Sequence, residues 1–287
     1  MSTSDHSNAN WSFILPEGGA LTAWLHSIDT LITRGIGGIL AERGNDPSGF
    51  RDVLDLGCGV GGWAMAVASC SADIKVVGVD INEHLMSYAQ MDAQGRGLDN
   101  VRFQIMDVRQ PLEFPDNSFD LVNASTFFSS LSPADWPPLL RECARILRPG
   151  CILRLMELER AITNSPALEQ FWDLYARALF VDGRSFSHDG KRIGIAVQMG
   201  RLLHEAGFQN IERQVHTPEF SSWAPGHHAW QEHTLITQTL LESFLVKSGV
   251  ATREELARIR EQEKLDMLSP DFCGLAHYYT AWGTKPV

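Results

Sequence analysis

A short apolar run, Val53 to Leu56, ends abruptly in Gly57-Cys58-Gly59-Val60-Gly61-Gly62, and Trp63 to Ser69 follows at once with helical composition. A strand that delivers the chain into a glycine turn and then a helix is the opening unit of a doubly wound α/β sheet. The sequence downstream keeps that rhythm. Strand-like runs at Lys75 to Asp80, Val101 to Met106, Phe119 to Ala124 and Cys151 to Leu155 alternate with helical stretches at Asn82 to Arg96 and Ala134 to Leu147. Arg148-Pro149-Gly150 stops the last helix and leads directly into a strand. The expectation is a mostly parallel sheet with helices on both faces.

Outside this frame the pattern is helical. Leu21, Trp24, Leu25, Ile28, Leu31 and Ile32 recur at helical spacing, which predicts an amphipathic helix over residues 18–33, with a short second helix reaching Glu42. Further helices are expected at residues 165–182, up to about Ala206, at 229–247 and at 252–267. Strands are expected at Phe208 to Thr217 and Ala276 to Gly283. At 287 residues the chain suits one domain with added helices. Its parts are an N-terminal tail and helical lid over residues 1–45, and a cofactor-binding domain over 46–287. The insertions at about 157–194 and 218–275 are expected to shape a substrate site.

Composition narrows the partners. A formal charge of −11, with no Lys/Arg cluster to reverse it locally, repels nucleic acid and anionic membrane surfaces. Met1 to Asn10 is polar and lacks the features of a secretory signal. The five cysteines, Cys58, Cys70, Cys143, Cys151 and Cys273, are odd in number and widely spaced, so a reducing, cytoplasmic setting is expected.

The glycine turn satisfies G-x-G-x-x-G through Gly57, Gly59 and Gly62, a pattern that also suits a nicotinamide dinucleotide. Asp55 separates the readings. A carboxylate two residues before the first glycine faces a pyrophosphate unfavourably but attracts the ammonium of an amino acid. Asp80, ending the next strand, can accept hydrogen bonds from ribose hydroxyls in either case. Asp107 closes the third strand, where an adenine amino group could sit.

Taken with Leu147-Arg148-Pro149-Gly150, Ala206-Gly207-Phe208 and Trp282-Gly283-Thr284-Lys285-Pro286, these segments resemble the class I S-adenosylmethionine-dependent methyltransferases of the small-molecule type, most closely over residues 50–160. The resemblance implies a Rossmann-like, seven-stranded sheet whose last strand runs antiparallel. It implies that Asp55 and Gly57, Cys58, Gly59 and Gly61 hold the methionine portion of S-adenosyl-L-methionine. Asp80 with Ile81 would hold the ribose, Asp107 with Val108 the adenine, and Asn123 and Ala124 would lie beside the transferred methyl group. Two other readings stay open: a nicotinamide-dependent oxidoreductase, and a non-catalytic cofactor-binding sensor or assembly protein.

Ser125-Thr126-Phe127-Phe128 lacks the Asn/Asp-Pro-Pro-aromatic signature of enzymes that methylate base amino groups, in agreement with the charge. Trp11, Phe13, Phe127, Phe128, Phe171, Trp172, Tyr175, Phe180 and Trp223 supply an aromatic wall suited to a small apolar or aromatic acceptor, as in secondary metabolism or quinone-like modification. Seven of the ten histidines fall at or beyond His188. Of these, His188, His228 and His233 are the candidate proton acceptors. His227-His228 followed by His233 lacks the i, i+4 spacing of a helical zinc pair, so no metal is expected. The apolar N-terminal helix could cover its own site or, in a homo-oligomer, a neighbour's.

Overall fold

A computed structural model describes residues 19–287. The expected Trp11 and Phe13 of the acceptor wall, and the polar tail, lie outside the described residues.

The chain begins with helix α1 (Gly19–Gly35), and a turn of 3-10 helix at Ala41–Arg43 leads into strand β1 (Asp52–Leu56). Then follow α2 (Gly62–Ala68), β2 (Lys75–Asp80), α3 (Glu83–Gly95), β3 (Val101–Ile105), β4 (Phe119–Ser125), α4 (Trp136–Ile146) and β5 (Leu147–Leu158). The second half contains β6 (Ile162–Thr163), α5 (Pro166–Val181), α6 (Met199–Glu205), β7 (Gln209–His216), α7 (His227–Lys247), α8 (Arg253–Met267), β8 (Gly274–Leu275) and β9 (Tyr278–Thr284). Seven strands form one sheet in the order β3-β2-β1-β4-β5-β9-β7, parallel except for β9, which runs antiparallel to both its neighbours. The Rossmann-like architecture read from the sequence is the one observed.

Side-chain alternation along the strands divides the core. Leu54, Leu56, Val77, Val79, Val122 and Leu153 face one layer, where α4 contributes Trp136, Leu139, Leu140, Cys143 and Ile146 at helical spacing. Val53, Val76, Val101 and Leu121 face the other, against Trp63, Ala64, Met65 and Val67 of α2. With both faces covered, the central strands are apolar almost throughout.

Two boundaries differ from expectation. β5 starts at Leu147, not Cys151, because Leu147 pairs with Phe119 before a register shift, and that irregularity accommodates Pro149 and Gly150 in a strand. The ribbon formed by β6 and β8 was not legible, since two-residue strands carry no periodicity; Ile162 pairs with Leu275 and ties the two insertions together.

The strand order reverses between β1 and β4, so the loops after these strands diverge and leave a crevice at the sheet's carboxyl edge. Helices α5, α7 and α8 pack on one another beside it, and α1 packs on α7 and α2. Thus α1 covers the crevice of its own chain.

Candidate cofactor and acceptor site

Two adjoining chambers occupy the crevice. The larger, of about 260 Å³, is lined by Gly57, Gly59, Asp80, Ile81, the Ser125–Ser130 turn, the inner faces of α1, α5 and α7, and Tyr278. The smaller, of about 100 Å³, lies against Asp55, Gly57, Cys58, Gly59 and Arg154, and is roofed by Leu25, Asp29 and Ile32 of α1.

The glycine turn is built for close approach. Gly57 and Gly59 adopt φ of 60° and 54°, conformations unfavourable to any side chain. A Cβ at Gly57 would also stand 2.5 Å from the ring of Phe127. Asp80 braces the turn from β2 by accepting hydrogen bonds from the N–H groups of Gly59 (3.1 Å) and Asn82 (2.9 Å). Burial raises its carboxyl above the usual range, against the pull of those N–H groups.

Asp55 is 3% exposed. Its carboxylate accepts a 2.7 Å hydrogen bond from Asn123 Nδ2, and Asn123 Oδ1 accepts one of 2.8 Å from Arg154 Nη1. Arg154 Nε in turn donates to Glu42 Oε1 at 2.7 Å, and this ion pair is almost wholly buried. The chain Asp55-Asn123-Arg154-Glu42 spans β1, β4, β5 and the turn before β1, and it fixes the Asp55 carboxylate at the chamber wall. Burial pushes that carboxyl up to about 7; Asn123 pulls it down, and the nearby charge of Asp29 adds to the rise. Asp29 itself is pushed up to about 6 by burial. Burial penalises any charge there, but two carboxylates facing one chamber offer a cation its counter-charge. With Asp29 and Asp55 both in its lining, the smaller chamber could take a cationic group such as an ammonium.

Several expected contributors stand elsewhere. Asn123 does not line either chamber: its side chain is taken up by Asp55 and Arg154, and Ala124 is buried in the core. Gly61 is a packing residue, since a Cβ there would strike Phe103. Asp107 is drawn away by Arg109, whose Nε and Nη2 donate to it at 2.9 and 2.8 Å, and Val108 lies in the core. The adenine contact expected from that pair has no support from this arrangement. His188 and His228 are exposed and line neither chamber, and Phe180 and Trp223 are exposed as well.

His233, by contrast, lines the larger chamber with Phe127, Phe128, Phe171, Trp172 and Tyr175. It stacks on Trp24 of α1 with ring centroids 5.3 Å apart. Thr237 Oγ1 accepts a hydrogen bond from Trp24 Nε1 (2.8 Å), donates to the His233 carbonyl (2.8 Å), and lies 3.2 Å from His233 Nε2. With the single hydroxyl proton given to the carbonyl, Nε2 must carry its own proton and Nδ1 presents a lone pair. Nδ1 is buried without a hydrogen-bond partner, and burial lowers the imidazole to about 4, so the ring is neutral at ordinary pH.

The turn carrying Phe127 and Phe128 is held in an uncommon conformation. Thr126 has φ of 58°, and the carboxyl group of Glu157, fully buried at the end of β5 and pushed up to about 8 by that burial, accepts hydrogen bonds from the N–H groups of Phe127 (3.0 Å) and Phe128 (3.1 Å). Sequence reasoning missed Glu157, Asp29 and the α7 residues Trp230, Thr234 and Thr237. For Asp29 a signal existed: it is an acid on the otherwise apolar face of α1.

Comparisons with known proteins converge on one group. A family model described as a methyltransferase domain matches residues 53–150. The demethylmenaquinone methyltransferase of Geobacillus kaustophilus is 33% identical over 191 residues, covering 61% of this chain and 78% of that protein. The demethylmenaquinone methyltransferase of Lactiplantibacillus plantarum is 30% identical over 175 residues, covering 56% and 72%. Among solved structures, the chain resembles Haemonchus contortus phosphoethanolamine N-methyltransferase 2 in complex with phosphomonomethylethanolamine and S-adenosylhomocysteine, with a TM-score of 0.55. The identity there is 18%, covering 93% of this chain and 58% of that one, so the likeness is one of fold.

Proposed function

Because the chain belongs to the class I S-adenosylmethionine-dependent methyltransferases, we propose that it methylates a small, mostly apolar or aromatic metabolite on oxygen, nitrogen or carbon by in-line displacement. Its cofactor is S-adenosyl-L-methionine, which when bound supplies an electrophilic methyl group on a sulfonium centre. Gly57, Cys58, Gly59 and Asp55 would hold the amino-acid end, and Asp80 with Ile81 the ribose.

The observation that carries the acceptor class is the wall of the larger chamber. Trp24, Phe127, Phe128, Phe171, Trp172 and Tyr175 line it, and among the described residues no lysine or arginine lines it. A phosphorylated acceptor would meet no cation there, whereas aromatic rings favour a flat apolar one. The similarity to demethylmenaquinone methyltransferases supports the same side of the choice. We assign the work to quinone-like modification or secondary metabolism, in the cytoplasm, where the five free thiols suit a reducing medium. Among the described residues no helix is long and apolar enough to cross a membrane.

The chain's own contribution is alignment and exclusion of water, which can supply roughly 7 to 11 kcal/mol of a barrier. α1 roofs the chamber as a lid, and His233 Nδ1 receives the proton of an acceptor that must lose one.

The test is release of S-adenosylhomocysteine with a panel of hydroquinones, phenols and phosphoethanolamine. Turnover with phosphoethanolamine and none with any apolar acceptor would overturn the proposal. On the active acceptor, His233→Phe keeps the stack on Trp24 but removes the lone pair. Its turnover should fall about 10²- to 10⁴-fold if the acceptor loses a proton in the rate-limiting step; unchanged turnover would remove His233 from the mechanism.

A further inference from the structure

The smaller chamber has an imbalance of charge that the glycine turn does not explain. Its lining contains two carboxylates, Asp29 and Asp55, and one cation, Arg154. Arg154 is committed on both sides, to Glu42 and to Asn123, and Asp55 already accepts from Asn123. Among the described residues none hydrogen-bonds or ion-pairs with Asp29. The charge that acts on it is His26, three residues earlier on the same helix.

Position makes this carboxylate more than a solvated side chain. Asp29 is brought so close to Gly62, the first residue of α2, that any side chain on Gly62 would collide with it. The third glycine of the G-x-G-x-x-G pattern therefore makes room for an acid carried by α1. The ligand site itself does not rest on the two acids. It is fixed by the positive-φ glycines, the chamber they border and the cofactor the family uses.

We propose that Asp29 is a second anionic ligand for the α-ammonium of S-adenosylmethionine, acting with Asp55, so that α1 binds the cofactor directly as well as roofing the acceptor chamber. Either acid alone would leave the other uncompensated beside a buried wall, and one ammonium serves both. The inference uses the cofactor assignment and adds to it the helix that contacts the cofactor.

Two ligands separate this role from a packing role. S-adenosylhomocysteine carries the amino-acid end, whereas 5′-methylthioadenosine has the same nucleoside and thioether without it. Both are titrated by calorimetry into the full chain, as wild type, Asp29→Asn and Asp29→Ser, with thermal unfolding recorded for each. The expected result is at least a tenfold loss of S-adenosylhomocysteine affinity in both variants, with methylthioadenosine affinity held within twofold. Unchanged affinity for S-adenosylhomocysteine overturns the role of Asp29, and so does an equal loss for both ligands, which would mark displaced packing of α1. Tighter binding of S-adenosylhomocysteine also overturns it, because it would put the cofactor's carboxylate beside Asp29. If the wild type binds neither ligand, the cofactor assignment falls and this proposal with it.

Discussion

On the proposed cofactor assignment, Asp55 lowers the stability of the free protein in order to bind. Burial, then the charge of Asp29, hold its carboxyl near 7, while Asn123 opposes them, so at pH 8 the free protein carries an ionised group its surroundings disfavour. A carboxylate whose folded pKa lies above its unfolded value weakens the fold as pH rises between the two. Asp55→Asn keeps an oxygen to accept from Asn123 Nδ2 and removes the charge. The ligand-free variant should be more stable at pH 8 by roughly 1–2 kcal/mol in chemical denaturation, while S-adenosylhomocysteine affinity falls at least about tenfold. A variant less stable than wild type would show that the charge is compensated in the free protein. Asp55 was picked out by a local pattern, a carboxylate two residues before a glycine turn, and the structure sets it in the wall of the smaller chamber. Asn123, expected beside the transferred methyl group, has its side chain engaged by partners 68 residues back on β1 and 31 ahead on β5, which no local pattern records. Asp107, expected at the adenine, is engaged nearer by, since Arg109 two residues on reaches back to it.

Helices with a continuous apolar face were found with nearly their observed bounds, because each such face must be buried and periodicity records it. What periodicity does not record is how a loop is held. The Thr126–Phe128 turn puts two aromatic rings into the acceptor chamber, yet its conformation depends on Glu157, some 30 residues away. A non-glycine residue at φ of 58° costs about 1–3 kcal/mol and persists only where its surroundings enforce it. Glu157 supplies two acceptors to the following N–H groups. Glu157→Gln leaves one, and Glu157→Ala leaves none, so turnover should fall in that order, by roughly 10- to 100-fold for alanine if the rings shift. Stability should fall by about 1–3 kcal/mol for each N–H left unsatisfied. Equal turnover in all three proteins, measured beside thermal unfolding, would show that the turn is held by its own packing.

At the scale of the molecule, α1 borders both chambers, and on the proposed reading it joins the two halves of the function. One set of its residues, Leu21, Trp24 and Ile28, faces the acceptor chamber, while Asp29 faces the glycine turn. If Asp29 binds the cofactor as proposed, cofactor binding and coverage of the acceptor are linked through one helix, and the linkage should depend on pH. The titratable and charged groups around Asp29 and Asp55 are His26 on α1, Asp80 on β2 and Arg154 on β5, with the Cys58 thiol pushed up by burial and His233 on α7 neutral. At pH 5.5 the two acids, near 6 and 7, are largely protonated in the free protein, and an arriving ammonium must displace those protons. At pH 7.5 they are largely ionised and the ammonium meets charge directly. Saturating S-adenosylhomocysteine should therefore raise the Tm by roughly 3 °C or more beyond its effect at pH 5.5, the shift expected from a tenfold gain in affinity. 5′-Methylthioadenosine, with no ammonium, should give the same shift at both pH values. A pH-independent shift for S-adenosylhomocysteine would mean that neither acid changes its proton occupancy on binding, and would detach the N-terminal helix from cofactor recognition.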